Sequence, residues 1–239
     1  MKIKKIFCLV ICLLCFGCVS ISGQSVFKVQ DVLSKPQLAE LEQAVNLYWK
    51  WDKDEDPNKA IEILESISAK EPDNWVADFW AAYIATQVIL INKENTDYLE
   101  KSEKLLEKST QTFSRNPITS ATPYFHGLRS LIYRFKSGRF VQLNDRKNYE
   151  TFRDKAVEEL NNGIKLNPEN PFLMVLAATD IGNKNQGDSG HILAVVALLE
   201  KARNEYKKVT ERSPADITYL NEHWISPWLK RLSPPPLTK

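Results

Sequence analysis

Four prolines recur through the chain at nearly even spacing and divide it into similar stretches. The intervals between Pro72, Pro117, Pro168 and Pro214 are 45, 51 and 46 residues. Proline cannot continue a helix, and it disfavours helical backbone at the residue before it. These positions therefore predict a series of helices of defined length, each ending shortly before its proline.

Three of these stretches share one pattern of side chains. Twelve, eight and five residues before the proline stand a small residue, a large apolar residue, and a small or apolar residue. Offsets of four and three residues place these side chains on one helical face, where the small residue lets a neighbouring helix approach closely. The stretch before Pro117, with Leu105, Ser109 and Thr112, is a degenerate copy. The three matching sets are Ala60, Leu64 and Ile67; Ala156, Leu160 and Gly163; and Ala202, Tyr206 and Val209.

Repeats of this length predict stacked helical hairpins, because a single hairpin cannot bury its apolar face alone. No stretch shows the alternating β-branched pattern of a strand, so we expect the body of the chain to be all-α. The central stretch, from Thr151 to Pro214, predicts a helix, a tight turn, a second helix and the start of the next pair. The other predicted helices are 36–49, 57–70, 75–90, 98–113 and 122–135, with 75–90 central because it is apolar over much of its surface.

The sequence also predicts the structure of the segments between and after these helices. We expect Lys136–Arg146 to be polar and irregular, and Gly182 to Gly190 to be an inter-helix loop. After Pro214, a short helix is predicted over Asp216–His223. We expect Trp224 to Trp228 to close the last groove, with Leu229–Leu232 as a cap.

The repeated pattern resembles the second helix of a tetratricopeptide repeat and the turn that follows it. The spacing exceeds the 34 residues usual for that repeat, so longer helices or loops are expected here. The chain also resembles secreted tetratricopeptide-like proteins of Bacteroidetes-type bacteria, through Asn167-Pro168-Glu169-Asn170-Pro171, the glycine-containing loop and Leu199-Glu200-Lys201-Ala202. The resemblance implies a right-handed stack of about four helical hairpins over residues 24–232, and no activity can be carried over from it.

The N-terminus has the pattern of a secretory signal peptide. Three lysines precede an apolar run of eleven residues, Ile6 to Phe16, and small residues follow it. The run is too short to span a membrane as a helix. We therefore expect export to the periplasm or outside the cell, with cleavage near Ser22–Gln24 and residues 1–23 removed; a retained anchor is the alternative.

All four cysteines, Cys8, Cys12, Cys15 and Cys18, lie in this N-terminal segment. A mature chain starting near Gln24 therefore has neither a disulfide framework nor a reactive thiol. Gly17 precedes Cys18, as glycine does before the lipidated cysteine of bacterial lipoproteins, although Cys15 stands where those proteins usually have leucine. Lipidation of Cys18 would anchor the protein to a membrane, and a membrane is an expected partner only in that case.

The charge of the mature chain argues against nucleic-acid binding. Residues 1–23 contain three of the 32 basic residues and none of the 30 acidic ones, so 29 basic and 30 acidic residues remain. The sequence has no basic excess or basic motif of the kind that binds phosphate backbones. The last seven residues, 233–239, contain three consecutive prolines and predict a stiff, extended tail.

Two segments have part, but not all, of the sequence pattern of a known ligand-binding loop. Gly182 and Gly187 have the spacing of a phosphate-binding loop, but Asp188 stands where that loop needs lysine, and the segment follows a predicted helix where a strand is required. The acidic run Asp52, Asp54 and Asp56 has calcium-loop spacing, but Pro57 and Ile63 stand where glycine and glutamate are needed. We interpret the first as an inter-helix connection and the second as an acidic turn that caps a helix.

No catalytic, cofactor or metal site is predicted. His126, His191 and His223 are far apart, and none has a second histidine or a cysteine at ligand spacing. No serine lies in a nucleophile elbow. A metal site assembled from distant repeats is left open.

The aromatic residues are the remaining signal for function. Six tryptophans are many for this length, and aromatic side chains dominate protein interfaces when they are exposed. The residues we predict to contact a partner are Trp49, Trp51, Asn74, Tyr83, Arg129 and Tyr133.

We therefore expect an exported, non-catalytic helical-repeat module that binds a protein or peptide in the cell envelope. A periplasmic solute-binding component of a transport system is the first alternative, and a closed pocket lined by several tryptophans would favour it. An enzyme of unknown class is the second, and a buried cluster of His126 with carboxylates from separate repeats would favour it.

Overall fold

The computed structural model describes residues 27–50, 57–91, 97–184, 189–208 and 213–232. These residues form α-helices joined by short connections and contain no strand, which confirms the all-α prediction for the part of the chain described. The helices are α1 (Lys35–Trp49), α2 (Pro57–Lys70), α3 (Trp75–Ile91), α4 (Asp97–Arg115), α5 (Thr122–Gln142), α6 (Arg146–Leu166), α7 (Pro171–Lys184), α8 (Ser189–Lys208) and α9 (Glu222–Leu232).

The helices pack in two layers. The odd-numbered helices contact one another in sequence, α1 with α3, α3 with α5, α5 with α7, and α7 with α9. Each even-numbered helix packs against the odd-numbered helices on either side of it. The four helices that precede the recurring prolines are α2, α4, α6 and α8, so all four belong to the same layer.

Helix α3 is central, as its sequence predicts. From Trp75 to Ile89 every side chain is buried, including the polar Asp78, Thr86 and Gln87. The helix is enclosed because α1, α2, α4 and α5 all pack against it. A helix that is apolar on all sides is stable only when it is buried on all sides, and the four neighbouring helices bury α3 in this way.

The apolar residues form two clusters. The larger one runs from α1 to α7 and includes Phe27, Val29 and three residues beyond α8, namely Ala215, Ile217 and Leu220. The smaller one lies between α7, α8 and α9. The chain beyond α8 therefore packs into the core of the N-terminal half before it forms the last helix.

Several predictions concern residues that lie outside these described ranges. They are the 1–23 segment with Cys18, Trp51 and the acidic run 52–56, residues 185–188 of the glycine-containing loop, Val209, and the tail 233–239. Among the described residues, no helix has the length and apolar composition needed to cross a membrane.

Two predicted helix boundaries between residues 122 and 151 are wrong. Helix α5 does not end at Phe135 but continues to Gln142, and α6 begins at Arg146, five residues before Thr151. Lys136–Arg146 is therefore mostly helical. Its polar residues are compatible with helix because they lie on the solvent side or pair with a neighbouring helix, as Lys136 does with Glu103 of α4.

The predicted short helix Asp216–His223 is also wrong. The structure has a 3₁₀ turn over Ile217–Tyr219, and α9 then starts at Glu222. Between them Asn221 adopts the left-handed conformation, with φ of 65°, which ends one element before the next begins. Residues 224–232, predicted as a closing segment and a cap, all belong to α9, with Pro227 inside it.

Part of the predicted loop from Gly182 to Gly190 is helical as well. Helix α7 continues to Lys184, and α8 begins at Ser189. Gly182 lies within α7, where an added Cβ would come within 3.0 Å of the Trp228 ring. The glycine at this position therefore serves the packing of α9 against α7.

Candidate functional site

A set of long-range polar contacts surrounds a stretch of turns that follows α8. We call Ser213–Asn221 the return segment, because it leads from α8 back to the N-terminal half. Ala215, Ile217 and Leu220 have no exposed surface, and Asp216, Thr218 and Asn221 are at most 4% exposed. The segment is therefore enclosed by the helices around it from Ala215 onward, while Ser213 and Pro214 are partly buried.

Two indoles hold consecutive carbonyl groups of the return segment. Trp49 Nε1, on α1, donates to the carbonyl oxygen of Pro214 at 3.3 Å. Trp80 Nε1, on α3, donates to that of Ala215 at 2.7 Å. Buried carbonyls outside a helix need partners, and the two tryptophans supply them from different helices.

Tyrosine hydroxyls hold the far end of the segment. Tyr83 donates to Asn221 Oδ1 at 2.9 Å and accepts from the Asn221 amide at 3.2 Å. The Tyr206 hydroxyl of α8 donates to the Leu220 carbonyl. Burial raises the pKa of Tyr83 and of Tyr206 well above the ordinary value. Both phenols therefore keep their protons and remain donors at any physiological pH.

The return segment also ties the two ends of the folded chain together. The Val29 amide donates to Asp216 Oδ1 at 2.9 Å, and the Ser213 hydroxyl donates to Glu42 Oε1 at 2.7 Å. Burial raises the pKa of Asp216, although the hydrogen bond from Val29 acts in the opposite direction. The hydrogen bond from Val29 and the charge of Lys28 both favour the ionised carboxylate inside the protein.

Three of the residues predicted to contact a partner have structural roles here. Trp49 and Tyr83 contact the return segment, and Tyr83 is fully buried. Asn74 is 5% exposed, and its Oδ1 accepts from the Ala77 amide at 3.3 Å, which caps the start of α3.

Arg129 and Tyr133, the other two described residues of that prediction, share one face of α5, between α4 and α6. Arg129 reaches both neighbours, since its Nη2 donates to Thr110 Oγ1 of α4 at 3.3 Å and its Nη1 lies 3.5 Å from Glu159 Oε2 of α6. Tyr133 lies one turn further along α5, and its ring centroid is 5.9 Å from that of Phe152. We call this face the α5 furrow.

Lysines and further charged groups line the same furrow. Lys155 Nζ lies 5.8 Å from the Tyr133 ring centroid and 5.2 Å from that of Phe152. Lys136 pairs with Glu103 and lies over the Phe152 ring at 5.1 Å. Burial raises the pKa of Tyr133. The furrow thus combines partly exposed aromatic rings with cations held over them.

His126 forms an acid–base pair at the end of the furrow. Its Nδ1 lies 2.7 Å from Glu159 Oε2. Burial opposes ionisation of Glu159, but the hydrogen bond from His126 and the charge of Arg129 hold its pKa below the ordinary value. The side chains of His126 and Glu159 are 22% and 19% exposed. The pair is a histidine with one carboxylate, already neutralised by an arginine.

Metal ligands and surface grooves are the remaining features of the described residues that bear on a binding site. They contain no group of three or more histidine, cysteine, aspartate or glutamate side chains placed to hold a metal ion. The three histidines lie on three different helices, α5, α8 and α9. Two shallow surface grooves lie along α1 (with Lys50, the residue that follows it) and along α6, and no tryptophan is among the residues that line either groove.

The contacts of the return segment had no signal in the sequence, because they join residues up to 187 positions apart. Trp80 and Asn221, which sequence reasoning missed, belong to this set. The pairing of Glu159 with His126 had a weak signal, since both lie on predicted helices of adjacent units. No protein-family model, curated protein or solved structure matches this chain.

Proposed function

We propose that this protein is an exported, non-catalytic helical-repeat module that binds a protein or peptide partner in the cell envelope. In this proposal residues 24–232 form a tetratricopeptide-like, right-handed stack of about four helical hairpins. The two-layer packing and the presence of all four proline-terminated helices in one layer support it. Such stacks present extended surfaces and generally act by binding.

The observation that carries the proposal is the way α1 and α3 hold the return segment. Two indole donors bind consecutive backbone carbonyls, and tyrosine hydroxyls bind the far end. These bonds hold main-chain groups of a segment that contains a turn at Ser213–Asp216 and a 3₁₀ turn at Ile217–Tyr219, and hydrogen bonds to main-chain groups are also one means by which a protein binds a peptide. The chain thus holds one of its own segments through hydrogen bonds to main-chain groups.

The partner in this proposal meets the α5 furrow, because the face of α1 and α3 is already occupied. Arginine and tyrosine are among the residues that contribute most to binding at interfaces. Arg129 is 28% exposed and lies beside Tyr133 and Lys155 in a strip between two helices. An acidic or aromatic peptide segment laid along this strip would contact all three.

One alternative also has an observation in its favour. An enzyme of unknown class would use His126, held by Glu159, as a general base. Arg129 weakens this interpretation, because it neutralises the carboxylate that would stabilise a protonated imidazole. The solute-binding alternative has less support, since Trp49 and Trp80 are engaged by the return segment.

The test is crosslinked capture of partners from the native envelope by the tagged mature chain, followed by titration of the purified pair. Tyr133→Ala removes an aromatic contact of the furrow, and Tyr149→Ala is the matched control on the outer side of α6. We expect one envelope protein to be captured by the wild type and by the control, and its affinity to fall about tenfold or more in Tyr133→Ala.

Two outcomes would count against this proposal. Equal affinity of both variants would place the partner elsewhere, and a folded chain that captures no protein would contradict partner binding altogether. In the second case a thermal-shift screen with small molecules, comparing wild type with His126→Gln, tests the enzymatic alternative.

A further inference from the structure

The turn between α5 and α6 exposes aliphatic side chains next to several basic residues. We call residues 138–147 the hairpin tip. Val141 and Leu143 are 59% and 61% exposed, and they lie two positions apart. Only two other large apolar side chains in the described part of the chain are exposed, Leu166 and Leu193, and those lie on other helices. The tip is therefore the one place in the described chain where such residues are concentrated.

The backbone of the tip is well ordered by hydrogen bonds. The Asp145 amide donates to the Phe140 carbonyl at 2.9 Å, and the Asn144 amide donates to the Val141 carbonyl at 3.1 Å. Asn144 takes the left-handed conformation, with φ of 55°. This is the Schellman arrangement that commonly ends a helix. It satisfies the last carbonyls of α5, so the aliphatic side chains are displayed by a defined turn.

The turn is also attached firmly to the body of the protein. The Phe140 ring stacks on Phe152 of α6, with centroids 5.4 Å apart and planes inclined by 8°. Asp145 caps α6, since its carboxylate accepts from the Asn148 amide at 3.1 Å. The exposed side chains are thus not needed to hold the hairpin together.

Cations outnumber acids around the two aliphatic residues. The tip contains Arg139, Arg146 and Lys147 against one acid, Asp145. Asp145 is engaged with Asn148, and the Arg146 side chain, 89% exposed, pairs with Glu150 at 2.9 Å. Over residues 136–155, which include the facing turns of α5 and α6, six basic residues stand against three acidic ones. Glu103 of α4 adds a fourth acid, paired with Lys136.

We propose that the hairpin tip docks on an anionic lipid surface. Val141 and Leu143 enter the boundary between headgroups and acyl chains, while Arg139, Arg146 and Lys147 meet lipid phosphates. Amphipathic surfaces bind membranes by this combination of apolar burial and attraction to anionic lipid. The proposal concerns a different surface from the α5 furrow and does not depend on the partner-binding function.

The side chains of the tip favour lipid over a protein at this site. Protein interfaces are dominated by aromatic and arginine anchors that fill complementary pockets. None of the exposed large apolar side chains of the described chain is aromatic, and the exposed Arg146 of the tip already pairs with Glu150. Two separate aliphatic side chains at the end of a hairpin need no complementary pocket in a bilayer interface.

The test uses co-flotation of the chain from Gln24 onward, which contains every described residue, with lipid vesicles. We expect binding to vesicles with about one-third anionic phospholipid to exceed binding to purely zwitterionic vesicles by about tenfold or more. Raising the salt concentration to about 0.5 M should weaken binding, because it screens the phosphate contacts.

Substitutions at exposed positions distinguish vesicle binding by the tip from vesicle binding by the rest of the surface. Val141→Ser with Leu143→Ser should lower the vesicle affinity about tenfold, and Lys147→Glu should lower it by a similar factor. The matched controls are Leu193→Ser, which removes a leucine that is 70% exposed on α8, and Lys207→Glu on the same helix. We expect both controls to bind as the wild type does. Circular dichroism verifies that each variant is folded.

Three results would overturn the proposal. The first is unchanged vesicle binding by the tip variants, and the second is equal binding to anionic and zwitterionic vesicles. The third is no vesicle binding by the wild type together with loss of a crosslinked envelope protein in the tip variants, which would make the tip a protein contact.

Discussion

Gly127 and Gly138 are both interior residues of α5, but the space around them differs. A Cβ added at Gly127 would lie 2.4 Å from Phe172 Cε1 and 2.9 Å from Leu173 Cδ2. Phe172 is fully buried, so its ring has little room to move aside. A Cβ added at Gly138 would meet nothing within 4 Å. One glycine is required by packing, and the other is only tolerated.

The two glycines therefore predict opposite effects of the same substitution. Gly127→Ala should lower the free energy of unfolding by about 1–3 kcal/mol, because α7 must shift to relieve the overlap. Gly138→Ala should raise it by about 0.5–1 kcal/mol, because alanine favours helix and restricts the unfolded chain. Urea denaturation of both variants measures the difference. A stabilised Gly127→Ala would mean that α5 and α7 are not packed as described.

At the scale of elements, α3 combines apolar enclosure with two buried donors that face the return segment. Trp80 and Tyr83, about one turn apart, are both fully buried and bind Ala215 and Asn221. A buried donor lost from such a site leaves its acceptor unsatisfied, which costs more than the hydrogen bond contributes in net terms. The helix is thus held by polar contacts as well as by its apolar surface.

Removing the indole donor of α3 should destabilise the protein strongly. Trp80→Phe leaves the Ala215 carbonyl without this donor and a smaller ring in the core, so we expect a loss of about 2–4 kcal/mol. Trp49→Phe is the matched control, because its bond is longer, at 3.3 Å, and its ring is only partly buried. Its loss should be about 1 kcal/mol or less. Equal losses, measured by chemical denaturation, would contradict the burial of the return segment.

On the scale of the whole molecule, the return segment links parts that a simple stack would leave apart. In a stack of repeats each unit contacts only its neighbours, so the ends unfold more easily than the middle. Here Val29 binds Asp216, and Ala215 packs in the same cluster as α1 and α3. The C-terminal unit is therefore coupled to the N-terminal one.

This coupling predicts how the chain unfolds. The wild type should show coincident thermal transitions by tryptophan fluorescence and far-UV circular dichroism. Ala215→Asp places a charge where no water reaches, so we expect the return segment to detach and 213–232 to lose hydrogen-exchange protection before α3 to α6 do. Ser226→Asp, at an exposed position of α9, is the control and should unfold as the wild type does. Uniform protection in Ala215→Asp would contradict this coupling.

Local patterns in the sequence were sufficient for the helical class and for many boundaries. Asp56-Pro57 and Pro72 bracket α2, which begins and ends at the predicted Pro57 and Lys70. The apolar composition of 75–90 indicated a buried helix, and α3 is one. Helix starts, proline stops and apolar periodicity depend on residues within a few turns of each other, so one chain is enough to identify them.

Local sequence patterns did not predict where α5 ends. Gly138 and the polar residues around it are typical of a loop, yet α5 continues to Gln142. Lys136 pairs with Glu103 and Phe140 stacks on Phe152, so neighbouring helices support the extra turns. Tertiary contacts override weak local propensity in a case like this one.

The sequence by itself determined that this chain forms helices terminated by regularly spaced prolines, because those signals are local. Only the tertiary structure decided what the aromatic residues of α1 and α3 contact. Trp49, Trp80 and Tyr83 bind backbone and side-chain groups of the return segment that lie 165, 135 and 138 positions away. Contacts at such separations follow from how the helices stack, and no local pattern in the sequence records them.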